Sequence, residues 1–123
     1  MRIKEIVIDS EHPARLARFW AAAVTEYEVR AYDDAEIARL AALGLTPETD
    51  PSVMVDGPGP TICFHQRTPP RTGRNPIHFD LVGEERRREV ARLIELGASV
   101  RDEHEGYTVM VDPEGNQFCV KDP

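Results

Sequence analysis

The chain has 123 residues, of which 41% are hydrophobic and 30% are charged, as in an ordinary single globular domain. Its formal net charge of -7 argues against a nucleic-acid partner, because a phosphate backbone needs a basic face. Two cysteines are too few for a disulfide framework, and no apolar run is long enough to cross a bilayer, which predicts a cytoplasmic protein without a membrane partner.

The first half of the chain alternates between strand and helix patterns. Pro13 stands where a first helical residue is expected, and Leu16 and Trp20 follow at helical spacing. Asp33 begins a second helix with capping-box spacing, and Gly44 can end that helix in a left-handed C-cap. The predicted elements are, in chain order, a strand at Ile3–Asp9, a helix at 13–24, a strand at Tyr27–Ala31, a helix at about 34–44, and a hairpin of Ser52–Val55 with Thr61–His65.

The second half repeats the plan after a segment rich in Pro, Arg and Gly, residues 67–76, which we interpret as a linker. The helix predicted there should point Val90, Leu93 and Ile94 inward. The predicted elements are a strand at Ile77–Val82, a helix at Glu84–Leu96, and strands at Ala98–Arg101, Tyr107–Val111 and Gln117–Val120.

One tetrapeptide, Val-Met-Val-Asp, occurs at residues 53–56 and again at 109–112, an offset of 56 that also places Cys63 on Cys119. The first strands align at a different offset, 73, which places Glu5 on His78. The two offsets differ by 17, which is the length of the segment 33–49 that contains the additional helix. A repeat of this size indicates one supersecondary unit used twice. The prediction is a single α+β domain, residues 1–123, in which two β-α-β-β-β modules, 1–66 and 77–123, form cupped mixed sheets around a cleft.

Three stretches resemble a known family: Pro-Ala-Arg-Leu-Ala-Arg-Phe-Trp at 13–20, Asn-Pro-Ile-His-Phe-Asp-Leu at 75–81, and Val-Asp-Pro-Glu-Gly-Asn-Gln-Phe-Cys-Val at 111–120. They are similar to the glyoxalase-like domains of the vicinal oxygen chelate superfamily, which includes glyoxalase I, bleomycin-resistance proteins, fosfomycin-resistance enzymes and extradiol dioxygenases. The resemblance covers nearly the whole chain. It implies metal ligands from the first and last strands of each module, and a homodimer.

Carried over residue by residue, the resemblance implicates Glu5 and His78 on the first strands and Cys119 on the last strand. For the last strand of the first module, the internal repeat points to Cys63 and the resemblance points to His65. A set of Glu5, His65 and His78 would suit one divalent ion such as Zn, Fe, Mn or Ni. The alternative is that the cysteines are small buried hydrophobic residues and that the histidines bind no metal.

Strand parity supports a shared cavity without reference to the family, since residues two apart on a strand point to the same face. The linker arginines Arg67, Arg71 and Arg74 could also hold an anionic ligand, and the alternative is a solvated loop without a ligand. The further cleft-lining candidates are Val7, Cys63, Asp80, Cys119 and Arg74.

Two functions follow from the resemblance. The first is a protein that binds a small oxygenated metabolite in the cleft between the modules, with metal-assisted chemistry of lyase, isomerase or dioxygenase type. The second is a metal-free protein that sequesters a small molecule or antibiotic, as bleomycin-resistance proteins do. Cys119 weighs against the first, because family members that isomerise or open rings generally supply a carboxylate at this position.

Overall fold

The computed structural model describes residues 1–67, 73, 75 and 77–123. Within this part of the chain, no helix combines the length and the apolar content that a membrane span requires. The elements, in chain order, are β1 (Glu5–Ser10), α1 (Pro13–Ala23), β2 (Glu28–Val29), α2 (Asp34–Ala42), β3 (Ser52–Asp56), β4 (Thr61–Gln66), β5 (Asp80–Val82), α3 (Arg86–Glu95), β6 (Ser99–His104), β7 (Tyr107–Val111) and β8 (Gln117–Lys121).

The chain divides into two compact units, Met1–Arg71 and Thr72–Pro123, each built on its own four-stranded sheet. The strand order is β1-β4-β3-β2 in the first sheet and β5-β8-β7-β6 in the second. In both sheets the first and last strands of the unit run parallel and the remaining pairs run antiparallel. The predicted α+β fold of two β-α-β-β-β modules is confirmed.

The core of the first unit lies between α1 and the sheet. Leu16 is fully buried and Trp20 is 2% exposed, and both lie on the face of α1 that packs on β3 and β4. Phe64 on β4 is also fully buried. The helix α1 therefore buries one apolar stripe against the sheet, as its apolar spacing predicts.

The additional helix predicted in the first module is present as α2. The Asp33 side chain caps its start by accepting a hydrogen bond of 2.8 Å from the backbone N–H of Glu36. Gly44 follows the helix with a φ of +74°, the left-handed conformation that glycine adopts at little cost. The Asp33 cap and the Gly44 C-cap, both predicted from the sequence, are therefore present at the two ends of α2.

The second unit has a smaller helix-to-sheet core. Val90 and Leu93 of α3 are buried, as are Phe118 and Val120 of β8. The prediction that Ile94 points inward is wrong, because its side chain is 48% exposed. The ten-residue helix buries only two side chains, so its contact face is narrower than that of α1, and Ile94 falls outside it.

Element boundaries in the second unit also differ from the prediction. The strand expected from Ile77 begins only at Asp80, although the backbone N–H of Cys119 still donates 2.9 Å to the carbonyl of Phe79. The helix expected from Glu84 begins at Arg86. The strand expected to end at Arg101 continues to His104, because residues 105 and 106 form the tight turn into β7 and Gly106 has a φ of +85°.

The repeated tetrapeptide does not occupy the same register in the two units. Val53 and Val55 are buried in the first sheet, whereas Met110, between the two repeated valines, is buried in the second. The strands β3 and β7 therefore correspond at an offset of 55, while β4 and β8 keep the predicted 56, with Phe64 and Val120 both in the core. The reason is loop length: residues 57–60 join β3 to β4, and one residue more, 112–116, joins β7 to β8.

Candidate functional site

The second sheet has a buried face and an open face. Phe118 and Val120 of β8 point into the core, so the intervening side chains of Gln117, Cys119 and Lys121 leave the other face. Asp80 of β5 is the direct partner of Cys119 across the parallel β5–β8 pair. Direct partners point to the same side of a sheet, which places the Asp80 carboxylate on the open face beside the Cys119 thiol.

Four side chains meet on this open face and form the cluster that we call the Asp80 cluster: His78, Asp80, Cys119 and Lys121. One donor atom each of His78, Asp80 and Cys119 lie within 4.8 Å of one another. The two carboxylate oxygens of Asp80 face different partners, with His78 Nε2 at 3.5 Å from Oδ1 and Lys121 Nζ at 3.3 Å from Oδ2. Asp80 is therefore the centre of the cluster.

The Cys119 thiol is held in its neutral form. Burial raises its pKa first, the negative charge of Asp80 raises it further, and a hydrogen bond to Asp80 adds to the effect. The positive charge of Lys121 opposes these influences without cancelling them. A free thiol with a raised pKa is a poor nucleophile at neutral pH. A metal ion would change this, because coordination removes the thiol proton.

A cavity of about 700 Å³ opens beside the Asp80 cluster, and the described residues that line it all belong to the second unit. Its polar walls include Asn75, Arg101 and Gln117, and its volume is typical of small-molecule sites, about 300 to 1,000 Å³. Tyr107 lines one side, stacks on His104 with 4.6 Å between ring centres, and has Lys121 Nζ 5.0 Å above its ring. Hydrogen-bonding groups therefore surround a cavity that the cluster borders.

The turn before β8 fixes where the cluster residues stand. Asp112 is buried, and its Oδ1 accepts hydrogen bonds from the backbone N–H groups of Glu114 at 2.9 Å and Asn116 at 3.0 Å. Gly115 completes the turn with a φ of +84°. The backbone N–H of Gln117 then donates 3.3 Å to the side chain of Asn75. The Asp-Pro-Glu-Gly-Asn sequence thus sets the register of the strand that carries Cys119.

The first unit presents the equivalent positions with different chemistry. Val7 pairs with Cys63 where Asp80 pairs with Cys119, and His65 takes the place of Lys121. Between Cys63 and His65, the register therefore makes Cys63 the counterpart of Cys119. Cys63 is 5% exposed, and burial raises its pKa. Within residues 1–67, no group of three donors comparable with the second unit is found.

The other predicted ligands of the first unit lie apart along the same strands. Glu5 pairs with Thr61, whereas His65 pairs with Asp9 four residues further along, a separation of roughly 13 Å at the usual rise of a strand. His65 Nδ1 lies 2.7 Å from the Ser52 hydroxyl. A joint site of Glu5, His65 and His78 involves both units and stays a prediction.

The remaining predicted position, Arg74, lies outside the described residues. Lys121 was not among the predicted site residues, although strand parity already places it on the face of Cys119. Its contact with Asp80 depends on the pairing of β5 with β8, which a single sequence does not show. Asp112 was recognised only as part of a motif, and its buried side chain is a further finding.

The family model described as a glyoxalase-like domain matches residues 5–121. No curated protein sequence matches the chain. Among solved structures, a glyoxalase/bleomycin resistance protein/dioxygenase family enzyme from Burkholderia phytofirmans is similar with a TM-score of 0.65 and 12% identity, covering 99% of this chain and 98% of that one.

Two further structures have related folds. The fosfomycin resistance protein of Mesorhizobium loti gives a TM-score of 0.66 at 14% identity, covering 98% of this chain and 90% of that one. The trypanothione-dependent glyoxalase I of Leishmania major gives 0.63 at 17% identity, covering 99% and 86%. At such identities these likenesses establish the fold alone.

Proposed function

The chain belongs to the glyoxalase-like domain family of the vicinal oxygen chelate superfamily, and from that premise we propose that it binds a small oxygenated metabolite beside a divalent ion. The proposed ion ligands are His78, Asp80 and Cys119, and the proposed ligand site is the cavity of about 700 Å³ next to them. The single observation that carries the proposal is the meeting of these three donors at the edge of a polar cavity.

The donor set fits a metal ion of intermediate softness, such as zinc. Imidazole, carboxylate and thiolate are the three ligand types that protein zinc sites use. The three donor atoms already lie within 4.8 Å of one another, so only small side-chain movements are needed to bring them onto one ion. Three protein ligands beside a cavity also leave a coordination position for water or substrate, as in catalytic zinc sites.

A divalent ion held there would supply Lewis-acid polarisation of a ligand oxygen, the chemistry on which lyase- or isomerase-type activity would depend, whereas dioxygenase-type activity would need a redox-active ion such as iron or manganese. The surrounding side chains would bind and orient the ligand. Arg101 offers a planar, positively charged guanidinium group that can bind a carboxylate or a similar anion. Asn75 and Gln117 offer neutral amide groups. Tyr107 provides one aromatic wall. This lining suits a small, polar, oxygen-rich molecule.

A metal-free binding protein is the second candidate, and the Lys121–Asp80 contact of 3.3 Å favours it. That contact balances the carboxylate charge without a metal ion, and the raised pKa of Cys119 keeps the thiol neutral. Of the described residues that line the cavity, Tyr107 is the only one with a phenol, phenyl or indole ring. A small polar metabolite therefore suits this second function better than a large planar antibiotic.

Elemental analysis of protein purified without chelator tests the proposal. We expect about one equivalent of a divalent metal per chain in the wild type and loss of that metal in His78→Ala. His12→Ala, which changes another exposed histidine, is the control and should retain the metal. His65→Ala separates the two ligand sets. If this variant retains the metal, the result supports the Asp80 cluster; if it loses the metal, the result supports the set of Glu5, His65 and His78. Wild-type protein that takes up no metal, even from added zinc, would contradict the metal-assisted function.

We propose a homodimer in the cytoplasm. Sedimentation equilibrium over a range of protein concentrations should return twice the chain mass of 13.8 kDa. A mass that stays at one chain at every concentration would contradict the dimer.

A further inference from the structure

Lys121 is the last residue of β8 and lies on the same face of the second sheet as Cys119. Its direct neighbours across the sheet are Val82 on β5 and Tyr107 on β7. The side chain therefore projects between Asp80 on one side and the Tyr107 ring on the other. Only one other lysine, Lys4, occurs in the chain, where arginine otherwise supplies the positive charge.

The ammonium group of Lys121 already occupies one of the two oxygens that Asp80 could offer to an ion. Lys121 Nζ lies 3.3 Å from Asp80 Oδ2, and the other oxygen faces His78 Nε2 at 3.5 Å. A divalent ion that binds the Asp80 carboxylate must therefore either share it with the Lys121 ammonium group or displace that group. In both cases the positive charge of Lys121 lies close to the charge of the ion.

We propose that Lys121 is a tethered cation that competes with a divalent ion for Asp80 and so lowers the metal affinity of the site. The inference rests on the proposed function, since it concerns the same three ligands. It makes Lys121 a specificity-determining residue: when the ammonium group holds Asp80, the site is in its metal-free form, and metal binding moves the ammonium group away.

The contacts of Lys121 suit displacement rather than permanent pairing. The side chains of Lys121 and Asp80 are 44% and 49% exposed, so water screens their attraction and the pair is weak. Nζ also lies 5.0 Å from the centre of the Tyr107 ring, so the ring stays a favourable partner for the ammonium group when it moves away from Asp80. The flexible four-carbon stem of lysine allows that movement.

The size of the effect follows from the charges. A single positive charge about 5 Å from a divalent ion, in the high dielectric of an exposed site, weakens binding of that ion roughly tenfold. Added salt reduces this penalty, because it screens exposed charges. Removing the charge of Lys121 should therefore strengthen metal binding most at low ionic strength.

The test is a zinc titration of metal-free protein in competition with a chromophoric chelator. The proteins are the wild type, Lys121→Met, Lys121→Arg, Lys4→Met and His78→Ala, each first shown to unfold cooperatively on heating. Lys121→Met should bind zinc roughly tenfold more tightly than the wild type, with a smaller advantage in high salt. Lys121→Arg, which keeps the charge, and Lys4→Met, which removes the other lysine, should match the wild type. Lys121→Gln serves in the same role if Lys121→Met does not fold.

The possible failures are distinguishable. If Lys121→Met binds zinc no more tightly than the wild type while His78→Ala loses binding, the inference about Lys121 is wrong and the proposed metal site stands. If the wild type and every Lys121 variant fail to bind zinc, the metal site is wrong and the inference falls with it.

Discussion

Asp80 and Cys119 are direct partners across β5 and β8, whereas the equivalent positions in the first unit are held by Val7 and Cys63. The same backbone pairing thus places a carboxylate beside a thiol in one unit and an isopropyl group beside a thiol in the other. One side-chain difference decides which sheet can offer three donors to an ion. In the described residues, that sheet is the second one.

The charge of Asp80 should contribute to the raised pKa of Cys119, in addition to the larger effect of burial. Burial raises the pKa of the thiol, and the Asp80 carboxylate raises it further by charge and by hydrogen bonding. Asp80→Asn removes the charge, so the thiolate should form at lower pH in this variant. The rate of alkylation of Cys119 as a function of pH, followed by mass spectrometry of the peptide, measures the shift. Asp102→Asn, another carboxylate that lines the cavity, is the matched control. An unchanged midpoint in Asp80→Asn would refute the contribution assigned to Asp80.

The two aspartates of the repeated tetrapeptide should contribute differently to stability. Asp112 is buried and accepts two backbone hydrogen bonds, so Asp112→Ala should cost about 1 to 3 kcal/mol of unfolding free energy. Asp56 is 43% exposed and pairs with Arg30 at 2.7 Å, so Asp56→Ala should cost about 1 kcal/mol or less. Urea unfolding at pH 7 measures both. Equal costs would argue against different roles for the two repeats.

Asp56 should also leave a pH signature. The Arg30 guanidinium and then the Thr61 hydroxyl hold the pKa of Asp56 at about 2, below the value of about 4 expected in the unfolded chain. The folded pKa is depressed, so the stabilisation is present above about pH 4 and is lost as the pH falls through about 2. In Arg30→Met, the midpoint for the Asp56 carboxyl, followed by NMR, should move up toward 4. A midpoint that stays near 2 would show that Arg30 is not the main cause.

Adjacent residues of α3 should respond very differently to truncation. Leu93 is 1% exposed, and Leu93→Ala should cost about 2 to 5 kcal/mol because it leaves a cavity in the core of the second unit. Ile94 is 48% exposed, and Ile94→Ala should cost about 1 kcal/mol or less. Chemical denaturation of the two variants provides the comparison. A larger loss for Ile94→Ala would reverse the orientation assigned to the helix.

Local signals in the sequence were sufficient for the elements and their order. Pro13, the Asp33 cap and Gly44 mark helix ends that the structure reproduces closely. The offset of 73 that places Glu5 on His78 agrees with the pairing, since β1 with β4 and β5 with β8 share one register when Val7 is set on Asp80. The helix-end signals act over a few residues, and the repeat is visible in one chain.

The parts that sequence analysis missed depend on distant pairing. Val53-Met54-Val55 is apolar at every position, so either the two valines or the methionine can face the core. The length of the following loop decides which of them does. The contact of Lys121 with Asp80 was missed for a similar reason, because it exists only once β8 pairs with β5. Ile94 was misplaced because helical spacing alone does not show how wide a contact face the sheet provides.

Cobalt(II) substitution tests most directly whether Cys119, with His78 and Asp80, binds a divalent ion. A thiolate ligand gives cobalt an intense ligand-to-metal absorption in the near ultraviolet, which a site of oxygen and nitrogen ligands lacks. We expect this band to grow to one equivalent of cobalt in the wild type, to persist in Cys63→Ser, and to vanish in Cys119→Ser. A band that survives Cys119→Ser and is lost in Cys63→Ser, or no band in the wild type, would contradict the account.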